Sequence, residues 1–415
     1  LERSKDVRIR VLRRSQNGGI VAATNDGLAA ARGEWIALLD HDDELVVDAL
    51  ETFADVIQAI PDVDFLYSDE EMCATDGAVL ERFQKPAWSP TRLRSQMYTG
   101  HLSAYRRELV DACGGFNPGF NGSQDYDLAL RVSERARRIA HVPRVLYRWV
   151  AAPASVVNNP TAKTWAYDAG IRAVQAHCNR VGIDADVVAT TTPGVHRLLP
   201  RQPFSELVSI VIPTRGDVGV AHGVRRSHVL RCIDSVLQMS TYRNFEIVCV
   251  FDTAMDPDVL EALRGYDPSV VRLVEFDEEF NFSRKANLGA FHARGSRVLF
   301  LNDDMELISP DWLEAMLRPI SEGDVGMVGA KLVFEDGLLQ HAGQFMRGLP
   351  DHVLYRVPSD LPGPMSAALV ERECEGVTAA CALMRRDIFE AVGGFCEALP
   401  NNYNDVDLCL KVREC

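Results

Sequence analysis

The 415-residue chain writes the same pattern twice. NGGIVAATNDGLAAARGEWIALLDHDDEL (17–45) aligns with FSRKANLGAFHARGSRVLFLNDDMEL (282–307). Asn25 and Asn287, Gly27 and Gly289, Gly33 and Gly295, and Asp42 and Asp304 are each 262 positions apart. Further on, YRRELVDACGGF (105–116) matches MRRDIFEAVGGF (384–395) at an offset of 279, and SQDYDLALRV (123–132) matches YNDVDLCLKV (403–412) at 280. A repeat this long is a whole domain. The chain is therefore constrained to fold as two related domains, the second with about 17 extra residues before its GGF (279 − 262).

The second copy also shows a beginning. LVSIVIPT (207–214) is a β-branched, fully apolar strand pattern, a helical stretch around VLRCIDSVLQ follows, and FEIVCVFD (245–252) is a second strand. Strand, helix, strand with unbroken apolar runs predicts an α/β fold, a mostly parallel, doubly wound sheet flanked by helices. Shifted back by 262, Leu207 falls about 55 residues before residue 1. The first domain is thus expected to lack its opening strands, and the second to be cut at its C-terminus, where the chain ends inside the helical DVDLCLKVREC. The expected domains are 1–155, a helical connector and linker over 156–204, and 205–415. Within the connector, AKTWAYDAGIRAVQAHCNRVGI (162–183) reads as a helix and DADVVATTTPGVHRLLPRQPF (184–204) as a linker containing a short extended piece.

Charge narrows the function. With 44 basic against 59 acidic residues the net charge is −15, which argues against a nucleic-acid partner. An acidic protein that holds an anionic ligand needs local help from a metal ion or helix N-termini. No apolar run is long enough to span a membrane and no signal peptide is visible. The ten cysteines form no CxxC pair and no zinc-spaced cluster. Several lie inside apolar runs as small core residues, which points to a reducing, cytoplasmic compartment.

The acids sit at strand ends. LLDHDDEL (38–45) and FLNDDMEL (300–307) each follow an apolar strand, and ligands of open α/β sheets bind at such ends. Clustered carboxylates repel unless a cation lies among them, and Mg²⁺ or Mn²⁺ favours such hard oxygen ligands, usually with only one or two protein carboxylates. The alternative is a solvated turn with helix-capping acids. Both copies retain Asp42 and Asp304, whereas Asp40 becomes Asn302 and Asp43 becomes Met305. Asp42 and Asp304 are the expected metal ligands, with Asp40 and Asp43 as supporting acids.

Asp125 and Asp405 open amphipathic helices after the GGF turns. Each reads either as an N-cap or as a general base taking a proton from an acceptor hydroxyl. A second acid follows at i+2 (Asp127, Asp407), and only one of each pair can be the cap.

The ordered series Asn-x-Gly, Arg-Gly or Arg-Gly-Ser, apolar strand, acidic strand end, GGF and DxDLxL(R/K) resembles the family 2 glycosyltransferases of the GT-A fold, twice over nearly the whole chain. The resemblance implies inverting transfer of a sugar from a nucleotide-sugar donor to a growing cell-surface polysaccharide or lipid-linked glycan. It implies Mn²⁺ or Mg²⁺ on Asp42 and Asp304, and Asp125 and Asp405 as bases. Donor contacts fall to Pro213, Thr214, Arg215 and Asp252, to Asn25 and Asn287, and to Asp40 and Asp303. His101, His341 and Thr378 are the candidates for the acceptor or sugar pocket. The chain departs from the family pattern at Phe251-Asp252, at Gln124-Asp125 and Asn404-Asp405, and at Arg148-Trp149, where Val145 stands in place of a Gln. The last departure weighs against a membrane-embedded processive synthase and leaves room for peripheral association with the inner face of the membrane. A degenerate nucleotide-sugar-binding scaffold and a sugar nucleotidyltransferase are the alternatives.

Overall fold

In the computed structural model, which describes residues 6–151 and 164–415, the chain divides into two units. One comprises Leu1–Leu199 with Pro364–Glu373, the other Pro200–Gly363 with Cys374–Cys415.

The first unit runs α1 (Gly19–Ala30), β1 (Trp35–Ala37), β2 (Glu44–Leu45), α2 (Ala49–Ala59), β3 (Phe65–Cys73), β4 (Val79–Phe83), α3 (Pro90–Ser95), β5 (Ser103–Arg106), α4 (Arg107–Ala112), α5 (Gln124–Ser133), β6 (Ile139–Val150), α6 (Thr164–Val181), β7 (Ala185–Ala189) and β8 (His196–Pro200). Its main sheet has the order β1-β5-β3-β6-β2, with β4 also on β3. Only β3 and β6 pair in parallel. The mostly parallel sheet expected from the sequence is therefore not found here. Parallel pairing needs a crossover helix between strands, and the described residues of this unit hold no counterpart of the two opening strands and the helix between them. β1 lies at the edge of the sheet and stops at Ala37, and Leu39 beyond it is 52% exposed.

The stretch expected to be connector and linker is instead built into this unit. Ala173, Val174 and Cys178 of α6, Ala185 and Val187 of β7, and Leu198 of β8 share one core with Phe65, Tyr105, Leu128 and Leu130. The expected boundary at 155/156 lies outside the described residues. Pro364–Glu373, expected in the second domain, also belongs here, where Glu373 accepts a hydrogen bond from Thr91 N (3.0 Å) at the start of α3.

The second unit comprises β9 (Val208–Thr214), the hairpin β10 (Val218–Ala221) and β11 (Val224–Ser227), α7 (His228–Met239), β12 (Phe245–Asp252), α8 (Pro257–Arg264), β13 (Val271–Phe276), α9 (Phe282–His292), β14 (Arg297–Leu301), α10 (Trp312–Ile320), β15 (Met327–Gly329), two short hairpins, β20 (Cys381–Arg385), α11 (Arg386–Ala391) and α12 (Asn404–Glu414). The hairpins pair β16 (Leu332–Val333) with β17 (Leu339–His341) and β18 (Gln344–Arg347) with β19 (Leu349–His352). The sheet order is β13-β12-β9-β14-β20-β15, parallel from β13 to β14 and antiparallel beyond. All seven residues of β9 are buried, as its β-branched run demands: each such side chain removed from water contributes roughly 1.5–3 kcal/mol. α9 crosses this sheet so closely that a Cβ on Gly289 would stand 2.3 Å from Val211 Cγ1.

The order β14-β20-β15 repeats β1-β5-β3, with the same antiparallel pairings. Across these three strands the repeated sequence coincides with a repeated strand order.

Candidate functional site

In the second unit the ends of β9, β12 and β14 converge. Thr214 Oγ1 donates to Asp303 Oδ2 (2.6 Å) and accepts from Gly216 N (2.9 Å). Lys285 of α9, 1% exposed, donates from Nζ to Thr214 O (2.6 Å) and to Asp252 Oδ1 (2.8 Å). One buried cation therefore ties two strand ends together. Burial lowers the Lys285 pKa, and Asp252 opposes that shift. Burial raises the Asp303 pKa, against the Thr214 hydrogen bond and with the help of Asp304 beside it. Pro213 is buried, Arg215 is exposed and paired with Asp217 (2.6 Å), and Asp304 is exposed at the turn.

In the first unit the corresponding strand end carries Asp40, His41, Asp42 and Asp43. Asp42 is exposed. Asp43 is not: its carboxylate accepts from Tyr147 OH (2.5 Å) and Val150 N (2.9 Å), which holds the turn against β6. That corrects its expected role as a supporting acid. Its counterpart Met305 packs against the core of the second unit, so this position is structural in both copies.

His101 is held by Glu70, which accepts from His101 N (2.7 Å), lies 3.0 Å from His101 Nδ1, and accepts from the buried Lys85 Nζ (2.7 Å). The imidazole also stacks on Tyr147, with centroids 5.4 Å apart and planes at 14°. Burial pushes its pKa down, but Glu70 more than offsets this and leaves it raised. The carboxyl of Glu70 sits at about 2, because Lys85 and His101 outweigh the cost of its burial. Asp125 feels the charges of both His101 and Asp40, which puts the three in one neighbourhood, and its own pKa is raised by burial. The partial enclosure of the Asp40 carboxyl raises its pKa, a shift opposed by His101 and reinforced by Asp43 and Asp42.

The ambiguity between acids at i and i+2 resolves the same way twice. Asp127 is fully buried and accepts from Arg131 Nε (2.9 Å), and Arg131 donates on to Cys113 O (2.7 Å) and Gly115 O (2.9 Å). Asp407 pairs with Lys411 (2.7 Å), which donates to Gly394 O (3.2 Å). In each copy the second acid fastens the helix to the GGF turn. The first acid, Asp125 or Asp405, remains half-buried at the helix start.

Three expectations need correction. Asn25 and Asn287, expected at the donor, give their amides to the GGF turns. Asn25 bridges Phe116 O and N (2.9 Å each), and Asn287 bridges Phe395 O (3.0 Å) and N (2.9 Å). His341 and Thr378 do come together, but His341 is 1% exposed. Its Nδ1 lies 2.9 Å from His352 Nδ1, and its Nε2 accepts from Gly343 N (3.2 Å) and Thr378 N (3.4 Å). Both ring nitrogens are committed, so this histidine braces the segment between β17 and β20 and does not face a ligand.

Lys285, Glu70, Lys85 and Tyr147 carry no signal in the repeat, since Lys285 aligns with Ala23 and the others lie outside the matched motifs. A lysine on the apolar face of α9 was the one available hint.

The carboxylates fit a divalent cation. Among the described residues no three His, Cys, Asp or Glu form a ready cage, and Mg²⁺ or Mn²⁺ shared with ligand oxygens needs only one or two exposed acids. Asp42 and Asp304 provide those.

The family profile for "Glycosyl transferase family 2" matches residues 1–114 and 209–393. The uncharacterized protein y4gI of Sinorhizobium fredii is 38% identical over 419 residues, covering 99% of this chain and 45% of the relative. The O-antigen biosynthesis protein RfbC of Myxococcus xanthus is 35% identical over 419 residues, covering 99% of this chain and 32% of the relative. The chain thus spans less than half the length of these curated relatives. A mannosyltransferase of Pyrobaculum calidifontis shows a distant structural likeness, with a TM-score of 0.35, 16% identity, and coverage of 59% of this chain and 61% of that one. The profile covers most of the chain, and on that ground the chain belongs to glycosyl transferase family 2.

Proposed function

We propose that the chain carries two inverting glycosyl-transfer sites, one per unit, and that each moves a sugar from a nucleotide-diphosphate donor to a glycan acceptor. The observation that carries this reading is the recurrence of one arrangement. An exposed acid stands in the turn after the equivalent strand (Asp42 after β1, Asp304 after β14), and a second acid starts the helix after GGF (Asp125, Asp405) while its i+2 neighbour is tied up structurally.

In this reading Asp125 or Asp405 accepts the proton of the acceptor hydroxyl. The acceptor oxygen bonds to the anomeric carbon from the side opposite the diphosphate, whose bond breaks with the electron pair leaving on the nucleotide. Direct attack inverts the centre and needs no enzyme nucleophile. Mn²⁺ or Mg²⁺ bound at Asp42 or Asp304 supplies neutralisation of charge on the departing diphosphate. Thr214 fixes Asp303, and Lys285 fixes Asp252, at the strand ends where the donor would lie.

The likeness to an O-antigen biosynthesis protein favours a growing surface polysaccharide or lipid-linked glycan as acceptor, met at the cytoplasmic face of the membrane. Among the described residues no helix is long and apolar enough to cross a membrane.

The test is a panel of nucleotide sugars with the full chain and Mn²⁺ or Mg²⁺, comparing wild type with Asp125→Asn, Asp405→Asn and both together. Each single variant is expected to lose one linkage, and the double variant to lose both by ~10²–10⁴-fold. Transfer unchanged in the double variant sinks the base assignment, and binding of a nucleotide sugar without any transfer by wild type leaves a binding scaffold. Transfer unchanged after chelation sinks the metal.

A further inference from the structure

A cavity of about 590 Å³ opens beside Asp125 in the first unit. Its walls include Gln96 after α3, Trp165, Tyr167 and Gly170 of α6, and His196 of β8. Two of these side chains are more than nine-tenths buried, Gln96 at 8% and His196 at 5% exposure. Each holds an atom, Gln96 Oε1 and His196 Nδ1, with no hydrogen-bond partner among the described residues. Buried polar atoms are rarely left so, and unpaired ones on side chains that line a cavity point to a ligand or ordered water as the missing partner.

Trp165 is the apolar element of the wall. It is 49% exposed, and it lies so close to Gly122 that a Cβ there would stand 2.1 Å from the ring. Gly122 has φ +90° and no side chain, so the indole seats directly on its backbone. The cavity therefore offers an aromatic surface, neutral buried polar atoms and one carboxylate. No lysine or arginine lines it, which disfavours an anionic ligand. Burial takes the His196 imidazole down to about 4, so it is neutral at physiological pH. A neutral pyranose matches all three features: its C–H face packs on an aromatic ring and its hydroxyls both donate and accept.

We propose that this cavity is the acceptor subsite of the first unit, where a neutral saccharide packs on Trp165, bonds to Gln96 and His196, and presents its reacting hydroxyl to Asp125. The proposal rests on the reading of Asp125 as the base. It gives α6 and the β7–β8 hairpin a task, because they close the cavity over the helix start. The hydroxyl proton passes to the Asp125 carboxylate as its oxygen bonds to the anomeric carbon, and the nucleoside diphosphate departs with the electron pair.

The test is ligand-observed saturation-transfer NMR on the full chain with methyl glycosides of common hexoses and 6-deoxyhexoses and their disaccharides. At least one saccharide is expected to bind wild type. Trp165→Ala should weaken it about tenfold or more, and Trp165→Phe should restore most of the loss. Asp125→Asn should bind it normally while transfer falls. Gln96→Leu gives a second reading, with weaker binding expected, if Trp165→Ala does not fold. Unchanged binding in Trp165→Ala or Gln96→Leu, or no binding by any member of the panel, overturns the subsite. Lost binding in Trp165→Ala together with normal transfer in Asp125→Asn overturns the base assignment and leaves the subsite standing.

Discussion

Asn287 and Phe395 exchange two hydrogen bonds across 108 residues, Nδ2 to the carbonyl at 3.0 Å and amide to Oδ1 at 2.9 Å. Asn25 and Phe116 do the same in the first unit at 2.9 Å each. The second glycine of each GGF makes room for this contact: with φ +69° at Gly115 and +66° at Gly394, a Cβ would sit 2.8 and 2.7 Å from the asparagine oxygen. Two lost bonds cost about 1–3 kcal/mol. Asn25→Ala and Asn287→Ala should therefore each lower the melting temperature while leaving the KM for donor within twofold. A large rise in donor KM without destabilisation would return these residues to the donor site.

Gly289 is the point where α9 meets the sheet. A Cβ there meets Val211 at 2.3 Å and Val250 at 3.0 Å. Gly289→Ala is expected to destabilise by about 1–3 kcal/mol through overpacking. Urea denaturation reads the loss, and an unchanged midpoint would mean that α9 does not pack this closely on β9 and β12.

The Glu70–Lys85–His101 cluster makes the first unit pH-dependent in two windows. Glu70 titrates at about 2 in the fold against an ordinary value of 4.5. Its contribution, about 3 kcal/mol, is present above that ordinary value and is lost as pH falls toward 2. The raised pKa of His101 works in the other direction. Its contribution is present below about 6.5 and is lost as pH rises through the folded value. Glu70→Gln should lower the His101 pKa and flatten the acid limb of the stability curve. An NMR titration of the His101 ring follows the first effect, and an unchanged midpoint would remove Glu70 as its partner.

Asp125 has a pKa raised by burial. In an Asp405→Asn background, kcat/KM should fall on acidification at a pH above the ordinary aspartate value of about 3.9. An acid limb at or below that value would mean that another group takes the proton.

Lys285 is a buried cation with two partners, one of them charged. Removing one side of such a pair costs about 3–5 kcal/mol, an upper figure here because the Asp252 side chain is 21% exposed. Lys285→Met should be strongly destabilising, and adding Asp252→Asn should recover part of the loss. Additive losses in the double variant would show that the two residues do not interact.

Much of the fold was legible because its signals are local. FEIVCVFD became β12 with the expected bounds, LVSIVIPT became β9 within one residue, and the helical VLRCIDSVLQ lies in α7. What escaped were decisions that depend on residues far away in sequence. The helix over 162–183 reads as a connector, and 184–204 as a linker with a short extended piece, until the small apolar residues of α6, β7 and β8 are seen against Tyr105 and Leu128.

The sequence by itself determined that one pattern is written twice, that acids follow its apolar strands, and that Asp125 and Asp405 open the helices after GGF. Only the tertiary structure decided which of those polar groups are committed. Asp127, Asp407, Asn25, Asn287, Asp43 and His341 are bound by partners up to 108 residues away, whereas Asp42, Asp304, Asp125 and Asp405 keep accessible surface at strand and helix ends. The reason is physical: residue type and spacing fix what a side chain is able to bond, but whether its lone pairs are already occupied depends on which distant backbone the packing brings within 3 Å.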